Sequence, residues 1–130
     1  MIQLEKFRKV MNQVAAEKGD FLLFGFFLSE EPQDKLDLVI SSPWLEKGKL
    51  KALSEFVEKM SSIVGQKDVL ALSKIVTLNH DDPHLQAILK TVQVENGLVV
   101  LQDTNLFGLE VKQAYILQAK KLKDPAQHVA

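Results

Sequence analysis

Two histidines and two aspartates lie close together in the segment NHDDPH (residues 79–84), a combination that could hold a metal ion or an anion. Such segments often bind ligands where a strand ends and a helix begins. The candidate ligand-binding residues here are Asn79, His80, Asp81 and His84. No metal is predicted, because Asp82 and Pro83 are typical first residues of a helix. A helix that starts between His80 and His84 also denies them the i, i+4 spacing of a two-histidine zinc site.

Asp37 is a further candidate, because it interrupts the apolar part of DKLDLVI (34–40), which follows the apolar segment LFGF (23–26). These segments resemble the strand hairpin of the polymerase-beta type nucleotidyltransferases, whose aspartates at i and i+2 bind Mg²⁺ and nucleotide phosphates. The resemblance implies a Mg²⁺-dependent enzyme. Phe26 stands where that family has serine, and Lys35 stands where it has the first aspartate. Asp37 is therefore interpreted as a residue on the less buried face of a strand.

The segment LEVKQ (109–113), with Asp103 upstream, places Glu110 and Lys112 on one face of a predicted strand. It resembles the Asp…Glu-x-Lys core of the restriction-endonuclease-like nucleases, which implies Mg²⁺ held by the two carboxylates. That family continues with another helix and strand, whereas a short polar segment follows Ala119 here. An exposed ion pair between Glu110 and Lys112 is the simpler interpretation.

The composition is that of an ordinary globular chain, with 130 residues, 46% hydrophobic, 25% charged and a net charge of −1. One domain over residues 1–130 is predicted, with 120–130 as a frayed tail. The absence of cysteine excludes disulfides and thiolate chemistry and fits the cytoplasm. The balanced charge disfavours nucleic acid as a partner, and the longest apolar run, 21–28, is too short to span a membrane.

Hydrophobic spacing predicts the elements that position these residues. Helices are expected over 3–18, 49–64 and 83–92, with a short one within 66–73, and strands over 21–28, 35–41, 74–79, 98–102 and 109–119. Leu50 is expected on the buried stripe of the second helix, and residues 103–108 are expected to form a loop. The fold class is therefore α+β, a single domain with a mixed sheet of about five strands, formed by two β-hairpins and one crossover strand and packed with three to four helices.

The final strand, Leu109 to Ala119, is longer than its predicted hairpin partner at 98–102, so part of it is expected to lack pairing on that side unless residues 92–95 extend the ladder. Ala114 and Ile116 share its outer face with Lys112. Proteins usually cover or pair such a strand. This predicts a homodimer that uses the C-terminal hairpin, buries at least about 1,000 Å² and is sensitive to Ile116→Lys.

The sequence as a whole favours a non-catalytic binding or regulatory module that needs no cofactor and binds itself or another protein. No constellation above has complete catalytic chemistry. The alternative is a small Mg²⁺-dependent enzyme, or a degenerate relative of one, acting on nucleotides or phosphate esters through Asp37 or the residues near His80. Convergence of Asp37, Asp81, His84 and Glu110 in one pocket would favour the enzyme.

Overall fold

The computed structural model describes residues 3–29, 35–106 and 109–121. Within these ranges it describes all side chains except those of residues 29, 35, 103–106 and 109–112. The elements in chain order are α1 (Leu4–Lys18), β1 (Leu23–Ser29), β2 (Lys35–Ser41), α2 (Pro43–Val64), α3 (Gln66–Leu70), β3 (Lys74–Thr77), α4 (Pro83–Thr91), β4 (Val99–Leu106) and β5 (Leu109–Ala119). Among the helices of these ranges, none combines the length and the apolar composition that a membrane span requires.

The strands form one mixed sheet in the order β3-β2-β1-β5-β4. β1 pairs with β2 and with β5, and β4 pairs with β5, each time in antiparallel orientation. β2 and β3 are parallel, and α2 and α3 supply the crossover that two parallel neighbours require. The predicted α+β fold, with two hairpins and one crossover strand, is therefore confirmed.

Helices cover both faces of the sheet. Successive side chains of each strand point to opposite faces, so both sets of side chains can be buried beneath helices. α1 and α2 pack on one face, where they bury the strand residues Phe24, Phe26, Leu38 and Ile40. α4 packs on the other face through Leu85, Ile88 and Leu89, against the strand residues Leu23, Phe27, Val39 and Ile116. A strand in the middle of this sheet must therefore be apolar on both sides.

β1 occupies that middle position, which explains why residues 21–27 are all buried. Its pairing with β5 shifts register between Phe24 and Gly25. A Cβ atom at Gly25 would lie 3.2 Å from the carbonyl oxygen of Tyr115 and 3.3 Å from Cγ1 of Ile116. A side chain here would press against β5, so glycine permits the close backbone approach beside this bulge.

β4 is longer than predicted. It runs to Leu106, because Thr104 and Asn105 continue the ladder with β5, so the predicted loop at 103–108 is wrong for residues 103–106. Turn-forming residue types are overruled here by pairing with a long neighbouring strand.

β5 is not an edge strand. It lies between β1 and β4 and is paired on both sides, so the prediction that part of it lacks a partner is wrong. Ala114 and Ile116 do not form an outer surface, because each is 0% exposed in the core beneath α4. Ile116→Lys consequently cannot test an interface, although the homodimer itself stays a prediction.

α2 begins before residue 49 and bends at that residue. Ser42 caps it by accepting a hydrogen bond from a backbone N–H of the first turn at 3.2 Å, and Pro43 is its first residue. Lys49 has non-helical dihedral angles, φ 51° and ψ −131°, which interrupt the helix. Leu50 directly follows this break and is 81% exposed, so its predicted place on the buried stripe is wrong. Residues 53–64 keep the predicted stripe.

Candidate functional site

The carboxyl ends of β2 and β3 lie side by side, because the two strands are parallel neighbours. α2 follows β2 and α4 follows β3, and the two helices pack on opposite faces of the sheet. The hydroxyl of Ser41 donates a hydrogen bond to the carbonyl oxygen of Leu78 at 2.7 Å and fastens the strand ends together. Crevices where successive connections leave a sheet toward opposite faces often bind ligands. We call this region, residues 41–47 and 78–84, the rim.

Glu46 and His80 join the two halves of the rim. The backbone N–H of His80 donates to Oε2 of Glu46 at 2.8 Å, and Nδ1 of the ring lies 2.9 Å from Oε1 and 3.1 Å from Oε2. The side-chain amide of Gln86 donates to the carbonyl oxygen of His80 at 2.6 Å. These contacts hold His80 by both its backbone and its ring, and they direct Nδ1 toward the carboxylate.

The Glu46 carboxylate raises the pKa of His80 above its ordinary value, first through the hydrogen bond to the ring and then through its charge. Desolvation opposes this in part, and the charge of Asp81 adds a smaller increase. The His80 side chain is 56% exposed, so its protonation responds directly to the solvent. An imidazole oriented by a carboxylate can transfer a proton through its other nitrogen, which is the chemistry that this pair offers.

Asp82 and His84 form a separate unit at the start of α4. Oδ1 of Asp82 accepts a hydrogen bond from the backbone N–H of His84 at 2.8 Å and lies 2.9 Å from Nδ1 of the same residue. The backbone hydrogen bond is the main reason why the pKa of Asp82 lies below its ordinary value. Pro83 is the first residue of α4. The helix-start role predicted for Asp82 and Pro83 is therefore confirmed.

Asn79 and Asp81 are exposed residues of the same connection. The carbonyl oxygen of Asn79 accepts a hydrogen bond from the backbone N–H of Asp82 at 3.0 Å and so tightens the turn. Four of the proposed ligand-binding residues therefore lie together at the rim, namely Asn79, His80, Asp81 and His84. In the part of the chain that the structure describes, no three His, Asp or Glu side chains are placed to share a metal ion. His128 lies outside that part.

Asp37, the fifth candidate, lies away from the rim. It stands in the middle of β2 opposite Phe27, whereas Ile40 is the residue level with the end of β3. At about 3.3 Å per strand residue, the rim, which starts at Ser41, begins about 13 Å beyond Asp37. Asp37 is half-buried and shares a face with Val39, which α4 covers, so the face on which it lies is not a solvated one.

Glu110 stands at the far end of the sheet. It pairs with Asn105 near the end of β4, whereas the rim is at the opposite end of β5, near Ala119. The candidate side chains outside the described part of the chain are those of Asp103, Glu110 and Lys112. By backbone position, the acidic candidates are spread along the sheet and do not converge on one point.

Two clefts meet at Pro43. The first has a volume of about 430 Å³ and is lined by Pro43, Glu46, Lys47 and His80. These described residues offer no hydroxyl or thiol, so the lining supplies no side-chain nucleophile next to His80. The second cleft, of about 470 Å³, contains the ion pair between Lys120 Nζ and Asp20 Oδ2 at 2.6 Å. Lys120 Nζ also lies 3.8 Å from Oε1 of Glu95, and Lys18 and Lys121 are further charged residues of the lining.

The two edges of the sheet are built differently. β3 has four residues and begins with Lys74, whereas β4 has eight residues. Leu98 is 47% exposed and Val100 is 44% exposed, and the intervening Val99 packs beneath α4. Among the described residues, no strand pairs with the outer edge of β4. This edge is a candidate surface for binding another chain.

Sequence reasoning missed Glu46 and the outer edge of β4. Glu46 lies 34 residues from His80, and no local spacing connects the two. The uncharged stretch LVVLQ (98–102) was an available signal for the edge, but its meaning depends on a strand order that the sequence did not reveal.

Comparison of this chain with models of protein families, with curated proteins and with solved structures gives no match.

Proposed function

We propose that this protein is a non-catalytic binding module that self-associates as a homodimer. The observation that carries the proposal is the outer edge of β4, an eight-residue strand whose described side chains, Val99 to Gln102, include no charge. The N–H and C=O groups on the outer side of an edge strand form a template for pairing with another chain. Because no described strand pairs with this edge, it is available to bind another chain.

The contrast with β3 supports this proposal. Proteins that stay monomeric usually protect an edge by making it short or by placing lysine or proline on it. β3, with four residues and Lys74, has two of these features. The described part of β4 has none of them and adds exposed apolar surface at Leu98 and Val100.

The separation of the candidate catalytic groups also supports a non-catalytic role. Mg²⁺ sites that handle phosphates use carboxylates gathered around one ion. In this chain the half-buried Asp37 lies about 13 Å from the rim, and Glu110 belongs to the opposite end of the sheet. The pair at the rim, Glu46 and His80, lines a cleft whose described residues include no hydroxyl or thiol.

Light scattering coupled to size exclusion, from low micromolar to near-millimolar protein, tests the proposal. We expect the mass to rise from one chain to two as concentration increases. A single-chain mass at every concentration would overturn it. Addition of Mg²⁺ with ATP is expected to leave the melting temperature unchanged, and a clear rise would favour the nucleotide-dependent enzyme instead.

A further inference from the structure

We infer that two copies of this chain join edge to edge through β4, in antiparallel pairing, with a two-fold axis at Val100. This inference rests on the proposed self-association and specifies its geometry. The result would be one continuous sheet across both copies, with the two β4 strands at its centre. The site it assigns is the backbone edge of residues 98–102 with the side chains beside it.

A second copy suits this edge on grounds of charge. The chain carries a net charge of −1, so two copies meet with little electrostatic repulsion. The described side chains of the strand itself, Val99 to Gln102, are uncharged, so no like charges oppose each other across the pair. A strand edge is also self-complementary, because a two-fold axis pairs each donor with the acceptor of the other copy.

Symmetry restricts the possible registers. The two-fold axis that relates adjacent antiparallel strands runs perpendicular to the sheet, so each residue must face a residue on the same side of the sheet. The axis can therefore pass at any single residue of the edge, which then meets its own copy, and the described choices within β4 are Val99, Val100, Leu101 and Gln102. Any register that pairs neighbouring positions of opposite face is excluded.

Val100 is the favoured axis because residues 99–101, which then pair with one another, are all apolar and all lie within β4. An axis at Val99 would require pairing by residues that precede β4, and an axis at Leu101 would place Val100 beside Gln102. The axis at Val100 places this residue beside Val100 of the second copy and covers a side chain that is 44% exposed. On the other face it places Val99 beside Leu101 of the second copy, and both residues already pack at the border of the core beneath α4. The apolar clusters beneath α4 of the two copies would then be connected across the interface by these side chains.

A single pair of strands this short buries less surface than a standard interface, which covers roughly 1,200–2,000 Å². The dimer is therefore weak and depends on concentration. This is the reason why the assembly has to be followed over a wide range of protein concentrations rather than at one.

The absence of cysteine makes the register directly measurable. Single substitutions Val99→Cys, Val100→Cys, Leu101→Cys and Gln102→Cys each introduce one thiol, and oxidation by glutathione disulfide links two chains only where a residue meets its own copy. We expect Val100→Cys to cross-link at least tenfold faster than the other three. Leu70→Cys, on a residue of α3 that is 74% exposed, measures the background rate of random encounters.

A charge substitution tests the same surface without a covalent cross-link. Val100→Lys places two ammonium groups side by side at the axis, and we expect the dissociation constant of the dimer to rise at least tenfold. Leu70→Lys changes the net charge equally at another exposed apolar position and is expected to leave it unchanged.

The outcomes separate this inference from the proposed function. A wild-type chain that is monomeric throughout ends both. A dimer that resists Val100→Lys and whose β4 cysteines cross-link no faster than Leu70→Cys leaves self-association intact but overturns pairing through β4. Fastest cross-linking at Val99, Leu101 or Gln102 overturns the axis at Val100.

Discussion

Glu46 holds His80 from 34 residues away, with one carboxylate contacting the backbone N–H at 2.8 Å and the ring Nδ1 at 2.9 Å. This contact ties the first turn of α2 to the connection between β3 and α4. Those two segments lead to helices on opposite faces of the sheet, so the pair fastens both layers at the rim. Because His80 is titratable, the contribution of the Glu46–His80 pair to the stability of the fold depends on pH.

The first prediction concerns that pH dependence. The pKa of His80 is raised in the folded state, so folding favours the protonated ring. This stabilisation is fully present below the ordinary pKa of 6.5 and is lost as the pH rises through the pKa of folded His80. We therefore expect Glu46→Gln to lower the melting temperature more at a pH of about 5.5 than at about 8.5. The effect is small, because the ring is 56% exposed.

Glu58→Gln, on an exposed position of the same helix, is the matched control for the loss of a carboxylate. It is expected to shift the melting temperature equally at both pH values. If Glu46→Gln also shifts the melting temperature equally at both pH values, the protonation of His80 next to Glu46 does not contribute to stability.

The second prediction concerns the helix cap at Asp82. Removing the carboxylate in Asp82→Ala leaves the His84 N–H without its acceptor, and we expect the free energy of unfolding to fall by about 1 kcal/mol. Asp81→Ala, one residue earlier and exposed, is expected to change it by less than about 0.5 kcal/mol. Urea denaturation near neutral pH measures both, and equal losses would contradict the cap.

The same carboxylate gives a pH signature of opposite sign to that of His80. The pKa of Asp82 is lowered in the folded state, so its contribution is present above the ordinary value of 3.8 and is lost as the pH falls through the folded pKa. The difference between wild type and Asp82→Ala should therefore shrink in strong acid.

The helices and most strands were predictable because their signals are local. The apolar spacing of α1 and the caps at Asp82 and Gly65 depend only on neighbours in the chain, and the structure has each of them. The order of the strands in the sheet, in contrast, depends on contacts between residues that are far apart in the chain. Whether β5 pairs with one strand or two depends on residues about 90 positions away, and local periodicity does not contain it.

One local signal for the place of β5 was nevertheless present. Residues 114–117, AYIL, are consecutive apolar residues, the pattern of a strand with helices on both faces. The same pattern at 21–28 correctly predicts the buried strand β1. Assigning Ala114 and Ile116 to an outer face overlooked this similarity. At the rim, the histidine was predictable as a candidate, whereas its partner Glu46 required the fold.

The third prediction concerns strain at Lys49. Its φ of 51° and ψ of −131° lie in a region that glycine enters freely and that costs other residues about 1–3 kcal/mol. Part of this is offset by the greater freedom of glycine in the unfolded chain. We expect Lys49→Gly to raise the free energy of unfolding by about 1 kcal/mol.

Lys51→Gly is the matched control, because it removes the same side chain two residues later, where the helix is regular. There glycine only loosens the helix, and we expect a loss of about 1 kcal/mol. Chemical denaturation of both variants gives the comparison. Two losses of similar size would show that Lys49 is not strained.

The fourth prediction compares two β-branched residues on neighbouring strands that face different surroundings. Ile116 of β5 is 0% exposed beneath α4, whereas Val100 of β4 is 44% exposed at the sheet edge. Ile116→Lys buries an ammonium group among apolar side chains, so we expect it to lower the free energy of unfolding by at least about 3 kcal/mol. Val100→Lys leaves its charge in water and is expected to change the same quantity by less than about 0.5 kcal/mol in the monomer.

Both variants are measured by urea denaturation at low micromolar concentration, where the proposed dimer is dissociated and only the fold of one chain contributes. A stable, native-like Ile116→Lys would mean that β5 is not enclosed between β1, β4 and α4. A Val100→Lys variant as unstable as Ile116→Lys would mean that the β4 edge is already covered within one chain. An edge that is already covered could not pair with β4 of a second copy. Strong destabilisation by Val100→Lys would therefore also contradict the dimer that the cross-linking experiment tests.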